Sequence, residues 1–269
     1  MTTVDVEQVE PHISVIRLNR PERRNAMSFG LVGDLHDALD EVGADASCKV
    51  AVLTGAGKGF CAGLDLKDWG SVPAPGAHRH MRAGMGGQEF ISALVPHMRA
   101  TPQIIVAAVQ GAAFGGGLSL ACAADVRIAA RSARFCSAFI RTGLSGTDIG
   151  ISYLLPRLVG VSRGFDLIVS GREIAAEEAE RIGLVSQVVD DDVLFDRALD
   201  YARVIAGYTS TGLTLTKEVL WHNVEVTSMD AAIAMENRNQ NLAGHAADVR
   251  EFMTAYRERI VNSRKGAPS

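Results

Sequence analysis

Residues Gly111 to Asp125, G-A-A-F-G-G-G-L-S-L-A-C-A-A-D, constrain the fold more than any other stretch. The apolar run Ile104-Ile105-Val106-Ala107-Ala108-Val109 ahead of it has the length and β-branched content of a buried strand. Gly115-Gly116-Gly117 then breaks the extended chain, and Leu118 to Ala124 reads as a small-residue helix. The first amides of such a helix have no intrahelical acceptor and lie at the positive end of its dipole. Glycine at that point lets a ligand approach the backbone. Strand, glycine turn and helix start can thus aim N–H donors at developing negative charge, or the glycines can serve packing alone.

A chain of 269 residues is one large domain, or one domain with an appendage. Its 47% apolar and 22% charged residues are ordinary for a soluble globular protein. The net charge of −4 argues against a general nucleic-acid binder. Cys48, Cys61, Cys122 and Cys136 form no CxxC pair and are expected as free thiols in a reducing compartment. The first residues do not read as a signal peptide and no apolar run reaches membrane length, so a cytoplasmic location is the expectation. No His, Cys and Asp cluster has metal-ligand spacing along the chain, which predicts no metal.

Taken in order, Val4 to Glu10 and Ile13 to Leu18 alternate as two strands joined at Pro11-His12. Ser28 suits the N-cap of a helix from Phe29 to Gly43, with Leu31, Leu35, Leu39 and Val42 on one face. Val50 to Thr54 is a buried strand, and a glycine-rich loop then opens a short helix over Leu64 to Asp68. Ser71 to His80 (S-V-P-A-P-G-A-H-R-H) reads as a mobile loop, either a lid or plain surface. Met81 to Arg99 is expected to be helical with a pause at Gly84 to Gly87. Asp125 to Ala130 is a strand, Ala133 to Phe139 is extended, and Ile149 to Leu155 is a short helix closed by Pro156. From Val161 onward helices dominate, and the tail from Asn262 to Ser269 reads as disordered. Alternating strands and helices predict a parallel, layered α/β core.

Four segments stand out: Leu18-Asn19-Arg20-Pro21 with Arg24-Asn25-Ala26-Met27, Phe60-Cys61-Ala62-Gly63-Leu64-Asp65-Leu66, the Gly115-Gly116-Gly117 turn, and Ala175 to Ala179 with Gly183-Leu184-Val185. Together they resemble the crotonase (enoyl-CoA hydratase/isomerase) superfamily. The match runs from about Val4 to about Arg259. The resemblance implies a spiral of ββα repeats over residues 1–200. It also implies a C-terminal helical region, 201–269, that drives assembly into trimers or paired trimers. Leu194, Ala198 and Ile205 suit such contacts and suit an ordinary core equally well. The implied substrate is an acyl-CoA thioester, so coenzyme A arrives with the substrate and no separate cofactor is expected. Its carbonyl would sit between the backbone amides of Leu64 and Gly116, which stabilise an enolate. Arg24 and Ala26 are implied near the pantetheine and phosphates, Ala62, Asp65 and Leu66 at the adenine, and Lys67 and Arg259 as phosphate contacts. Gly115, Ser119 and Phe139 fall among the substrate-binding positions.

An enolate needs a positioned acid or base before it becomes a reaction. Typical hydratases carry two glutamates, and their positions are Ser119 and Phe139 here, so the two-acid machine for adding water is absent in its usual form. One acid stands nearby: Asp148, in Gly143-Leu144-Ser145-Gly146-Thr147-Asp148-Ile149-Gly150. It is either an N-cap or the working group, as resembling dienoyl-CoA isomerases, an aromatic acyl-CoA dehalogenase and naphthoate synthases carry an aspartate about here. The dehalogenase pattern also wants a histidine on the preceding helix, where His97 stands. Hydration is the class label, with double-bond isomerisation by Asp148 alone, or acyl-CoA binding without turnover, as alternatives.

Overall fold

A computed structural model describes residues 2–265. The chain divides into two compact units with the boundary at Arg203/Val204. The first holds β1 (Val4–Glu10), β2 (Ile13–Leu18), α1 (Phe29–Ala44), β3 (Val50–Gly55), α2 (Gly87–Ser92), α3 (Leu94–Ala100), β4 (Ile104–Val109), β5 (Ala112–Phe114) and α4 (Gly116–Ala123). It continues through β6 (Val126–Ala130), β7 (Arg134–Cys136), α5 (Ile151–Val159), α6 (Val161–Ser170), β8 (Glu173–Ala175), α7 (Ala176–Arg181), β9 (Gln187–Val189) and most of α8 (Leu194–Ala206). The second holds α9 (Ser210–Asn223), α10 (Met229–His245) and α11 (Ala247–Lys265).

The main sheet runs β1-β2-β3-β4-β6-β9, antiparallel only between β1 and β2, and a small second sheet runs β5-β7-β8. The units β4-β5-α4 and β6-β7-α5 repeat one order: a strand in the main sheet, a strand in the small sheet, then a helix. Strands covered on both faces read as continuous apolar runs. In β3 every residue is buried, with Val50, Val52 and Leu53 level with Ile104, Val106 and Ala107 of β4.

Ser28 caps α1, its Oγ accepting the Leu31 amide at 3.2 Å, and Leu31, Leu35, Leu39 and Val42 are all buried. Truncating Leu35, which is wholly buried, to Ala is worth roughly 2–5 kcal/mol of stability. α4 is buried along its whole length, which explains why it is built of Gly, Ala, Ser, Cys and Leu. Leu194 and Ala198 are buried within the chain itself and serve its core, while Ile205 is half-buried. All four cysteines are buried and free, and burial pushes the Cys61 and Cys122 thiols up to about 12. No helix among the described residues is long and apolar enough to cross a membrane.

Four sequence expectations need correction. Leu64 to Asp68 is not a helix: Leu64 bridges to Met27, and the Asp65 carboxylate folds the following residues into a turn by accepting the amides of Lys67 and Asp68. The stretch from Met81 is helical only from Gly87, and it breaks between Ser92 and Leu94. α5 passes through Pro156, where the Arg157 guanidinium donates to the Tyr153 carbonyl at 3.0 Å and lies 3.6 Å from that ring's centre. Gly164 of α6 leaves room for the proline, since a Cβ there would lie 2.9 Å from Pro156 Cα. Finally, α11 extends through Lys265, so 262–265 is helical, and residues 266–269 lie outside those described.

Candidate active site

Two segments that carry the expected amide donors are zipped side by side. Cys61 N donates to the Ala112 carbonyl at 2.9 Å, and Phe114 N donates to the Cys61 carbonyl at 3.0 Å. A side chain at Gly117 would collide with the Cys61 carbonyl and put its Cβ 2.8 Å from that of Cys61. Gly63 has φ of +92°, and a Cβ there would meet the Phe114 oxygen at 2.8 Å. Met27 holds the other flank: its amide donates to Gly63 O at 2.7 Å, and its carbonyl accepts from Asp65 N at 2.9 Å. That alternation skips the Leu64 amide, which has no acceptor among the described residues. The Gly116 amide has none either, because it opens α4 and the first intrahelical bond runs from Ser119 N to Gly115 O.

Leu64 and Gly116 both line a cavity of ≈ 130 Å³. Ala62, Gly63, Leu66 and Trp69 contribute from the first segment, Gly115 and Phe139 from the central stretch and the turn after β7, and Asp148 from the loop before α5. The lining is mostly apolar, and Asp148 is its one carboxylate among the described residues. Gly115 has φ of +50°, and a Cβ there would sit in ordinary contact 3.6 Å from the Phe139 ring, so the backbone conformation and not crowding favours glycine.

Asp148 is half-buried at this wall. Its Oδ1 accepts the Ile149 amide at 2.7 Å and a short hydrogen bond from Gln88 Nε2 of α2. Burial pushes its carboxyl above the ordinary aspartate value, against the lowering effect of those two donors. The N-cap position of α5 belongs to Gly150, so the Asp148 side chain is not the helix cap. Ile149, between them, has φ of +46°, a conformation that costs a β-branched residue of order 1–3 kcal/mol. Ile149 is buried, and its Cδ1 would lie 3.1 Å from a Cβ at Gly116, so core packing enforces the strained turn that presents the carboxylate.

The remaining sequence-derived positions divide. Ser119 does not line the cavity: it is wholly buried, and its Oγ makes no hydrogen bond among the described residues. Asp65 does not line it either. Its buried carboxylate is spent on the Lys67 and Asp68 amides and on the Arg20 guanidinium at 3.0 Å. Ala26 is buried, and its carbonyl accepts Arg20 Nη1 at 2.6 Å. Arg24 is exposed in the left-handed region at φ of +51°, its carbonyl accepting the Ala62 amide. Lys67 is exposed on the turn after Leu66. Arg259 belongs to the second unit, where its guanidinium lies 5.7 Å from the Tyr256 ring centre. His97 faces away from this chemistry and into a cluster with His36 and Asp40, where burial holds both histidines below the ordinary range, His36 at about 4. The expectation of no metal rested on linear spacing. The fold instead brings His36, His80 and His97 together from three separate segments.

Sequence reasoning missed Gln88, Trp69, Ala138, Thr142, Leu144 and Ser145. Gln88 gave no signal, since nothing local ties α2 to Asp148 across the intervening sheet strands. Trp69 did: a tryptophan just beyond a glycine-rich substrate loop is a large apolar wall in search of a ligand.

Comparison with known proteins adds the following. The family model described as enoyl-CoA hydratase/isomerase matches residues 8–264. A probable enoyl-CoA hydratase, EchA12, of Mycobacterium tuberculosis is 43% identical over 240 residues, covering 89% of this chain and 84% of that protein. A 1,2-epoxyphenylacetyl-CoA isomerase of Escherichia coli is 38% identical over 254 residues, covering 93% and 94%. The crystal structure of a probable enoyl-CoA hydratase/isomerase from Mycobacterium abscessus superposes with a TM-score of 0.86 at 36% identity, covering 96% of each chain.

Proposed function

Since the chain belongs to the enoyl-CoA hydratase/isomerase family, we propose that it isomerises an unsaturated acyl-CoA thioester with Asp148 as the single proton-transfer group. The amides of Leu64 and Gly116 would bind the thioester oxygen as it gains negative charge, lowering the barrier to an enolate. Ionised Asp148 takes a proton from one carbon and, as the neutral acid, returns it to another, so the product has the mass of the substrate. The observation that carries this reading is one carboxylate, raised by burial, in a mostly apolar wall beside two backbone donors that have no acceptor among the described residues. With Ser119 sealed off from the cavity and Phe139 in its wall, no second acid is on hand to add water. The likeness to a 1,2-epoxyphenylacetyl-CoA isomerase, and the aromatic wall of Trp69 and Phe139, favour a substrate with a ring or branched apolar acyl group.

Hydration is the second reading, favoured by the naming of the Mycobacterium tuberculosis relative, with Asp148 activating the water. Product mass separates the two when 2-enoyl-, 3-enoyl- and dienoyl-CoA thioesters are supplied: an unchanged mass with a moved double bond supports isomerisation, and a gain of one water establishes hydration. Thioesters that bind without change, with Asp148→Asn indistinguishable from wild type, would favour the non-catalytic alternative. Arg24 remains our first choice for a CoA phosphate contact. Arg24→Ala should raise KM with kcat unchanged, because an exposed contact made equally in both states contributes uniform binding. Trimeric or paired-trimer assembly belongs to the same proposal; exposed Leu220, Met229 and Leu242 of the second unit support it, and sedimentation velocity tests it.

A further inference from the structure

Of the chain's seven histidines, four meet on one side of the first unit. His36 comes from α1, His97 from α3, and His78 and His80 from the end of the Pro- and Gly-containing loop. One ring nitrogen of each of His36, His80 and His97 lies within 4.8 Å of one from each of the others.

The outer nitrogens are already committed. His36 Nε2 faces the Phe90 carbonyl at 3.2 Å. His97 Nε2 faces Asp40 Oδ1 at 3.2 Å, and His80 Nε2 faces Asp40 Oδ2 at 2.5 Å. Oxygen acceptors require each Nε2 to carry its proton, which leaves the three Nδ1 atoms as bare lone pairs in neutral rings. Yet His36 Nδ1 and His97 Nδ1 stand only 2.9 Å apart, two acceptors pointed at each other. One added proton would relieve that pair as a single imidazolium beside Asp40, which Arg79 already engages at 2.6 Å, whereas a metal ion would engage a nitrogen of all three rings at once. A cation that takes the lone pairs resolves the conflict. Histidines whose far nitrogen is held by a carboxylate or backbone carbonyl are the usual pattern of metal ligands.

We propose that His36, His80 and His97 bind a divalent transition-metal ion, zinc by preference, with Asp40 and the Phe90 carbonyl orienting the rings. Imidazole ligands select such ions over calcium or magnesium. Bonds of 2.0–2.1 Å in a tetrahedron set ligand nitrogens about 3.3 Å apart, a few tenths beyond the observed pair and within reach of a small ring rotation. His78 is not a ligand: its Nε2 faces the Gly33 carbonyl and Asp37, and its Nδ1 accepts the His80 amide at 3.2 Å, so it docks the loop that delivers His80. The site shares no residue with the Asp148 cavity. It does grip α2 through Phe90, two residues from Gln88, so metal would steady the donor that holds Asp148.

The test uses the full chain, freed of any histidine tag and stripped with chelator, titrated with Co²⁺ by visible absorption and with Zn²⁺ by calorimetry. The expected result is one equivalent per chain, a tetrahedral cobalt spectrum bleached by zinc, and a melting temperature raised by zinc. His80→Gln and His97→Gln should each weaken binding on the order of tenfold or more, and His222→Gln, in the second unit, should not. His80→Gln lies on the loop, so its circular dichroism should match wild type even if His97→Gln folds poorly. Absence of saturable binding, or binding equally tight in wild type and His80→Gln, overturns the proposal.

Discussion

Two aspartate-bearing turns neighbour the cavity, and they are opposites. In the turn after Leu64, Asp65 is buried and its oxygens meet two backbone amides and a guanidinium. Burial alone would raise its pKa, but the Lys67 and Asp68 amides and Arg20 together outweigh it and hold Asp65 below the usual carboxylate range. In the turn before α5, Asp148 meets one amide and one side-chain amide, no cation, and burial wins. The same side chain is thus a structural bolt in one turn and a loosely held carboxylate in the other. Environment, not residue type, assigns the role.

The sharpest way to break this contrast is to remove each charge in turn. Asp148→Asn should lower kcat on the order of 10²–10⁴-fold while leaving the thermal midpoint near wild type, measured by steady-state turnover and calorimetry. Equal turnover would end its assignment as the proton-transfer group. Asp65→Ala should do the reverse. It strands the mostly buried Arg20 and unties a turn, so denaturant unfolding should show a loss of roughly 3 kcal/mol, with near-normal kcat in the folded fraction. If Asp65→Ala is fully stable yet inactive, the two turns have been assigned the wrong way round.

Their pH dependences should also run in opposite directions. A depressed pKa makes Asp65 contribute stability that is complete above the unfolded-state value and lost as pH falls through the folded-state value. A raised pKa makes Asp148 contribute stability that is complete below the unfolded-state value and lost as pH rises through the folded-state value. The acid limb of kcat/KM should accordingly lie above the ordinary aspartate pKa. Gln88→Leu removes a donor to the ionised form and should move that limb further up, whereas a downward move would mean that Gln88 does not hold the carboxylate. The smallest effect belongs to Ser119→Ala. Deleting a buried hydroxyl with no partner among the described residues should leave kcat unchanged and stability level or up to about 1 kcal/mol higher by chemical denaturation. A large loss of activity would place Ser119 back at the substrate.

Much of this frame was legible before any coordinates. Strands β1 and β2 fall where alternation puts them, and Ser28 caps α1 as its residue type predicts. The glycine turn opens α4, as a strand running into three glycines and small residues requires. What stayed hidden was decided by partners distant in sequence. α5 accommodates Pro156 against Gly164 of α6, which yields the space, a contact between helices that no local propensity shows. Leu64 to Asp68 is helical by pattern, but pairing with Met27 overrides it. At the site, the Leu64 and Gly116 amides were named through the family resemblance, and what the sequence itself offered was the glycine turn that opens α4. Ser119 and Asp65 misled because adjacency to a motif says nothing about which way a side chain faces. The histidine cluster was invisible because its members come from α1, a loop and α3.

The close seam at Gly117 bears on how such a protein can change over time. Every other amino acid carries a Cβ, and any Cβ there strikes the Cys61 carbonyl. Position 117 therefore cannot accept a side chain while the neighbouring segment keeps its path, and the two segments are held together as a unit. The turn from Leu144 to Asp148 is mostly exposed, and its tightest point is Gly146, where a Cβ would lie 3.1 Å from the Ile168 carbonyl oxygen. A lineage built on this frame can acquire a new reaction by rewriting that turn while inheriting the donors intact.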